Sequence, residues 1–218
     1  IIGCLGFIRN KLYSANLRLI DTLWLVNWLV KNSHPSLGLD LLYFLTKKIK
    51  YYKIGTVGCK ENTSAIFNLL GFETGKLNQY YITNPTIEDF NLIKLKNNHE
   101  LISNTNNNYP KLIDLKKNIN FSIFGNFLDK YIKKFGKDDK YFINRYVNHP
   151  IYNYNLYLIK TLSDQYGLIV TRICEFNKNK SIRIVDFFGN EESLINLYIP
   201  LQKLLIDINE EYLDFYEY

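Results

Sequence analysis

Residues 28–42 read WLVKNSHPSLGLDLL, an apolar run that passes through a polar turn into a helical pattern. A helix that starts just after a strand presents N–H groups with no partner inside the helix, and its first turn carries partial positive charge. That arrangement can cradle a pyrophosphate. Gly38 is where a side chain would block close approach. A junction of this kind with no ligand is the commoner case, because glycine serves turns everywhere. Further on, residues 61–72 read ENTSAIFNLLGF, with Asn62 at an expected helix start and Gly71 at its end. Other side chains could do chemistry, and each has a plainer reading. Glu61 could act as a base, or offset the helix dipole. His34 could deprotonate an amine, or face water in its Ser-His-Pro turn. Cys59 could be acylated, or be a buried inert thiol. His149 before Pro150 reads as a helix stop, and Trp24 and Trp28 read as core.

The second segment resembles the closing motif of the GNAT superfamily of N-acyltransferases. There an Asn is followed by Ala three residues on, an aromatic two beyond that, and Leu-Gly-Phe at the close. Asn62, Ala65, Phe67 and Leu70-Gly71-Phe72 match in turn. The upstream loop matches the superfamily's pyrophosphate loop in part. Aligned on Leu41-Leu42, the usual basic residue falls on Ser33, the first glycine on Ser36 and the second on Gly38.

The resemblance implies acetyl-CoA or another acyl-CoA as cofactor, lying between the strand of Trp28 and that of Thr56, which should be parallel neighbours that splay apart. Backbone groups of Trp28, Leu29 and Val30 would pair with the pantetheine, and those of Ser36, Leu37, Gly38 and Leu39 would hold the pyrophosphate. Asn62 would support the cofactor or an ordered water. An amine would attack the thioester directly, with backbone donors stabilising the oxyanion. Many members carry Tyr where Phe67 stands, as general acid to the leaving thiolate. Phenylalanine has no proton to give. Tyr80 or Tyr81 would then substitute, or the domain does not catalyse, and Phe67 itself reads as a core residue. The implied acceptor is a small-molecule amine. The second half resembles bacterial acyltransferases of surface polysaccharide synthesis, which points to a nucleotide-linked amino sugar. The rival reading is a non-catalytic acyl-CoA-binding or scaffolding module.

Strands are expected over 1–8, 21–30 and 51–58, with 21–30 buried on both faces. Helices are expected over 38–48 and from about 62 to 70. The second has Asn62 or Thr63 as N-cap, an apolar face of Ala65, Ile66, Leu69 and Leu70, and Gly71 as C′ residue. A hairpin is expected about Gly75-Lys76. Residues 93–116, rich in Asn, read as a linker. The second half repeats the order: helices over 124–135 and 138–147, strands over 152–159, 167–175 and 181–188, a helix over 191–208, and a strand over 212–216. Glu191 and Glu192 at that last helix start would repel a pyrophosphate. The expected fold class is α+β with a mixed sheet. Residues 1–92 form a GNAT-like domain lacking its N-terminal part, and residues 117–218 a second, degenerate one lacking its C-terminal part.

Composition bounds the rest. Of 218 residues 47% are hydrophobic, enough for a packed core, and no Met is present, which suggests a piece of a longer chain. The net charge of +6 comes from scattered lysines with no Arg-rich stripe, so nucleic acid is not the expected partner. The cysteines Cys4, Cys59 and Cys174 are far apart, with no zinc spacing, which suits reduced thiols in the cytoplasm and no metal. No apolar run reaches the roughly twenty residues of a membrane span. A homo-oligomer is compatible with all of this.

Overall fold

Strand β1 (Gly3–Arg9) runs antiparallel to β2 (Thr22–Val30), and β3 (Lys53–Gly55) joins β2 in parallel. These three form one sheet in the computed structural model, which describes residues 1–18, 21–95, 108–115 and 135–217. The second sheet has six strands. They are β4 (Asn78–Thr83), β5 (Lys111–Asp114), β6 (Tyr154–Lys160), β7 (Tyr166–Phe176), β8 (Asn179–Gly189) and β9 (Tyr212–Glu217), in the order β4-β9-β8-β7-β6-β5. Both sheets mix parallel and antiparallel pairs, so the chain is α+β. The chain divides into two compact units, Ile1–Gly75 with Ile132–Phe142, and Lys76–Tyr131 with Ile143–Tyr218.

In the first unit, helix α1 (Leu37–Lys48) carries the chain from β2 to the parallel β3. Leu42 and Leu45 lie one turn apart and pack on Leu23 and Leu25 of β2, with Phe67 closing the cluster. Lys47 and Lys48 suit the negative end of α1. β2 is not buried on both faces as expected. It alternates, with Leu23 and Leu25 inside while Leu29 is 65% exposed. β3 keeps only three of the eight residues expected for it.

Helix α2 (Glu61–Leu69) begins two or three residues earlier than its polar residues suggest. Lys60 is the N-cap and makes no side-chain cap bond, so Asn62 and Thr63 lie inside the first turn and cap nothing. The helix closes as a Schellman motif. Phe72 N–H donates to Phe67 O at 3.0 Å, Gly71 N–H donates to Asn68 O at 3.0 Å, and Gly71 takes φ +81°. The expected apolar face fails: Ala65, Ile66, Leu69 and Leu70 are all exposed, and only Phe67 is buried.

The hairpin about Gly75-Lys76 is also absent. β4 pairs instead with β9, from Asn78↔Glu217 to Thr83↔Tyr212. The segment after it is latched to the same unit. Asn84, 1% exposed, donates from Nδ2 to Leu205 O and Glu210 O, and its Oδ1 accepts from Thr86 N and Oγ1. The unit boundary therefore falls at Gly75, where the sequence suggested 92. β5 lies inside the stretch read as a linker, and the helix expected over 124–135 lies outside the described residues except for Phe135.

The second unit's other elements follow the sequence more closely. α3 (Asp139–Phe142) continues as a π-turn over Ile143–Val147. The β7–β8 turn has Asn177 and Lys178 at φ 50° and 71°. The helix expected over 191–208 is broken. A 3-10 turn, Glu191–Leu194, is separated from α4 (Tyr198–Ile208) by Asn196 at φ 59°. One face of the sheet packs Ile159, Ile169, Ile182 and Leu213 on Leu201 and Leu205 of α4.

A Cβ built at Gly167 would lie 2.3 Å from Ser193 Oγ and 2.9 Å from Phe187. Ser193 is fully buried and its Oγ already donates to Asn190 O at 2.6 Å. Gly167→Ala is expected to lower stability by about 1–3 kcal/mol, the range for an overpacked core. An unchanged denaturation midpoint would mean that the 3-10 turn yields freely.

The two units share one arrangement. An antiparallel pair carries a bulge on its second strand, a helix follows, and a parallel strand returns beside it for only a few residues. β1–β2 shifts register between Cys4 and Gly6, and β2–β3 pairs from Thr22 to Trp24. β7–β8 shifts between Val170 and Thr171, and β8–β9 pairs only at Ile182 and Arg183.

Candidate functional site

β2 and β3 start together, and their pairing ends after three residues. Arg9 Nε donates to Asp21 Oδ2 at 2.8 Å, and Lys11 N–H donates to Oδ1 at 3.2 Å. The Asp21 carbonyl accepts from Tyr52 N and Lys53 N, so one buried residue fastens both strand starts. Beyond Trp24↔Gly55 no further β2–β3 pair forms. Thr56 Oγ1 donates to Leu25 O at 3.2 Å. Among the described residues, the rest of β2 has no strand on that side.

A bulge turns this free end. Leu5 of β1 faces two residues, Asn27 and Trp28, because the register runs Cys4↔Leu29 and Gly6↔Val26. Asn27 takes φ 51°, a left-handed conformation that Asn tolerates better than most side chains. Lys31 N–H donates to Ile2 O at 2.9 Å, which makes Gly3 and Val30 a non-hydrogen-bonded pair. The N–H and C=O of Val30 therefore point away from β1, to the side where β3 has ended. Trp28 turns its indole to the core, 5.6 Å from the Phe67 ring.

The start of α1 differs from expectation in two ways. First, several of its N–H groups are already engaged. Leu37 donates to His34 O, Gly38 to Pro35 O, and Leu39 and Asp40 to Ser36 O, at 3.0–3.4 Å. Among the described residues the Ser36 N–H has no acceptor. Second, Gly38 is buried, and a Cβ there would lie 3.3 Å from Trp28 Nε1. Its lack of a side chain serves the packing of α1 on β2 and was not a mark of ligand approach alone. Asp40, in the first turn, adds a carboxylate to the positive end of the helix.

The remaining expected residues scatter. Asn62 and Glu61 are exposed in the first turn of α2. Phe67 is 6% exposed, with Phe72 against it at 5.4 Å, so it is a core residue. Tyr80 and Tyr81 stand on β4, in the sheet of the other unit, where Tyr80 stacks on Phe215 at 5.2 Å. His34 Nδ1 shares a hydrogen bond with Ser33 Oγ at 2.9 Å. Cys59 is exposed, where a buried thiol was expected. His149 Nδ1 accepts from Ile151 N and Tyr152 N, as a helix-stopping residue would. Among the described residues no group of three or more His, Cys, Asp or Glu is placed to hold a metal, and no helix is long and apolar enough to cross a membrane.

A concavity lies elsewhere, in the second unit, lined by Asp89, Lys178, Lys180, Glu210 and Glu211 among others. Glu211 is buried there and its Oε2 accepts from Asn91 N and Leu92 N. Burial pushes the Glu210 carboxyl above the usual carboxylate range, with Lys180 opposing the shift. These groups secure the segment after β4 and carry no mark of a reaction. Sequence reading missed them, because the partners are about 120 residues apart.

The chain matches no protein-family model and no curated protein sequence.

Proposed function

We propose that the first unit binds an acyl-CoA in the opening between β2 and β3 and transfers the acyl group, acetyl in the expected case, to an amine. The observation that carries this reading is the short parallel pairing, Thr22–Trp24 with Lys53–Gly55, followed by a β2 edge that pairs with no strand among the described residues. Pantetheine is an extended chain of amides and can pair with such an edge through Val30, as a strand would. The Ser36 N–H at the start of α1 supplies a donor for the pyrophosphate. The acceptor fitting the resemblance is an amino sugar carried on a nucleotide. A second reading, a GNAT-like module that binds acyl-CoA without turnover, is favoured by Phe67. Its ring is buried and has no hydroxyl, so no proton donor stands at that position.

Calorimetric titration of acetyl-CoA tests the binding step, and the choice of control matters. Gly38→Asp would strike Trp28 and confuse unfolding with lost binding. Ser36→Asp is the cleaner variant, because Ser36 is exposed and Asp is a favoured residue at a helix start. Its carboxylate would repel a pyrophosphate while leaving the fold at least as stable. Affinity is expected to fall by about tenfold or more, the ~1.4 kcal/mol scale of one misplaced charge. Equal affinity in both proteins would remove the phosphate cradle from α1. Release of free CoA on adding amine acceptors then separates the enzyme from the binding module.

A further inference from the structure

One row of side chains crosses five strands of the six-stranded sheet on a single face: Tyr154, Arg172, Arg183, Asp214 and Tyr81 are successive register partners. Two arginines thus stand directly opposite each other, an arrangement that costs stability unless each is compensated. Arg183 is compensated. Its Nε and Nη2 donate to the two oxygens of Asp214 at 2.8 and 2.6 Å. Asp214 is fully buried, and Gln79 Nε2 donates to its Oδ2 at 2.7 Å, so that carboxylate has nothing left for a second guanidinium.

Arg172 is not compensated. Among the described residues no carboxylate lies within ion-pair distance of it. Its guanidinium sits 4.5 Å over the Tyr152 ring, and Nη2 approaches Cys174 Sγ at 3.7 Å. Tyr154 is beside it, and burial raises that phenol, so the hydroxyl stays a neutral donor. His149 stacks on Tyr152 at 5.2 Å and holds the wall in place. The result is a half-buried cation with aromatic walls, planar N–H donors and, among the described residues, no counter-charge. Guanidinium groups in such settings pair with oxyanions in bidentate fashion.

We propose that Arg172, with Tyr152 under its guanidinium and Cys174 beside it, is a binding site for the oxyanion of a small ligand, a carboxylate or a phosphate. Tyr152 and Tyr154 would face the body of that ligand. The site belongs to the second unit and stands whether or not the first unit binds acyl-CoA.

Cys174 is a built-in reporter. In a Cys4→Ser, Cys59→Ser background it is the remaining thiol. Its alkylation by iodoacetate, an anion, is compared with that by neutral iodoacetamide, and the ratio of the two rates cancels the thiol's own ionisation. With the uncompensated cation at hand, the ratio is expected to exceed that of free cysteine by about fivefold, the attraction of two unit charges in water at contact. Inorganic phosphate or acetate should slow both reagents at millimolar concentration. Protection by phosphate assigns the phosphate-bearing class, and protection by acetate the carboxylate class. Arg172→Gln should return the ratio to that of free cysteine and abolish protection, while Arg172→Lys should keep part of both. A ratio equal to that of free cysteine with Arg172 in place, or no protection by either anion, would overturn the site, and neither readout depends on the Arg172 variants folding.

Discussion

Asp214→Ala is expected to destabilise the second unit by about 3–5 kcal/mol, the cost of breaking a buried pair by removing one partner. The carboxylate is fully buried and holds three donors from two side chains, Arg183 on the neighbouring strand and Gln79 on β4. Its loss leaves Arg183 facing Arg172 with no negative charge between them. It also frees the Gln79 amide on the strand that sequence reading assigned to the other half. Denaturant unfolding checks this: the midpoint should fall while the slope stays unchanged. The double variant Arg183→Met, Asp214→Leu should recover a large part of the loss, because a buried ion pair replaced by apolar groups is often neutral. If the double variant were as unstable as the single one, the damage would lie in packing and not in the orphaned charge.

That row of side chains marks what the sequence could and could not convey. Helix α1 was legible to within a residue, because Leu41, Leu42 and Leu45 repeat at helical spacing and the lysines close it. Strands β6 to β9 were legible from apolar runs and the Asn-Lys turn. The end of α2 was legible for a local reason. Leu70 ends the helix, Gly71 supplies the left-handed turn, and Phe72 folds back on Phe67. Much of the motif that resembles the GNAT superfamily is thus what this helix needs in order to stop. Its bearing on a cofactor rests more on the parallel pairing of β2 and β3, which ends at Trp24↔Gly55.

The partner of β4 was not legible. Gln79 meets Asp214 across 135 residues, and nothing near Gly75 declares that the chain leaves its own sheet there. Tyr80 and Tyr81, expected to supply the proton that Phe67 cannot give, are carried by β4 into the other unit. The bulge at Asn27 was hidden inside an apolar run. So was the charged row, because an Arg in a strand reads as solvent-facing until its cross-strand neighbour is known. The exposure of Ile66, Leu69 and Leu70 on α2 has no cause among the described residues.

Asp21→Ala is expected to cost the first unit about 3–5 kcal/mol, by the same rule of one partner removed from a buried pair. Here the carboxylate does more than balance a charge. Oδ2 holds Arg9, whose Nη2 also reaches Lys50 O at 2.6 Å, and Oδ1 holds the Lys11 N–H. These contacts gather the end of β1, the start of β2 and the approach to β3 at one point. The three register pairs of β2 and β3, Thr22–Trp24 with Lys53–Gly55, lie next to this point. The variant should therefore lower the melting temperature and also loosen the opening between the strands, so that any acetyl-CoA binding weakens with it. Asp21→Asn keeps an acceptor for Lys11 and loses the ion pair, and it should fall between the two. Unlike the pair on β8 and β9, this one should not be rescued by Arg9→Met with Asp21→Leu, since the Lys11 N–H would be left without an acceptor. A parent-like melting temperature for Asp21→Ala would show that the strands are held by packing of Leu23 and Leu25 alone. The opening would then need another explanation.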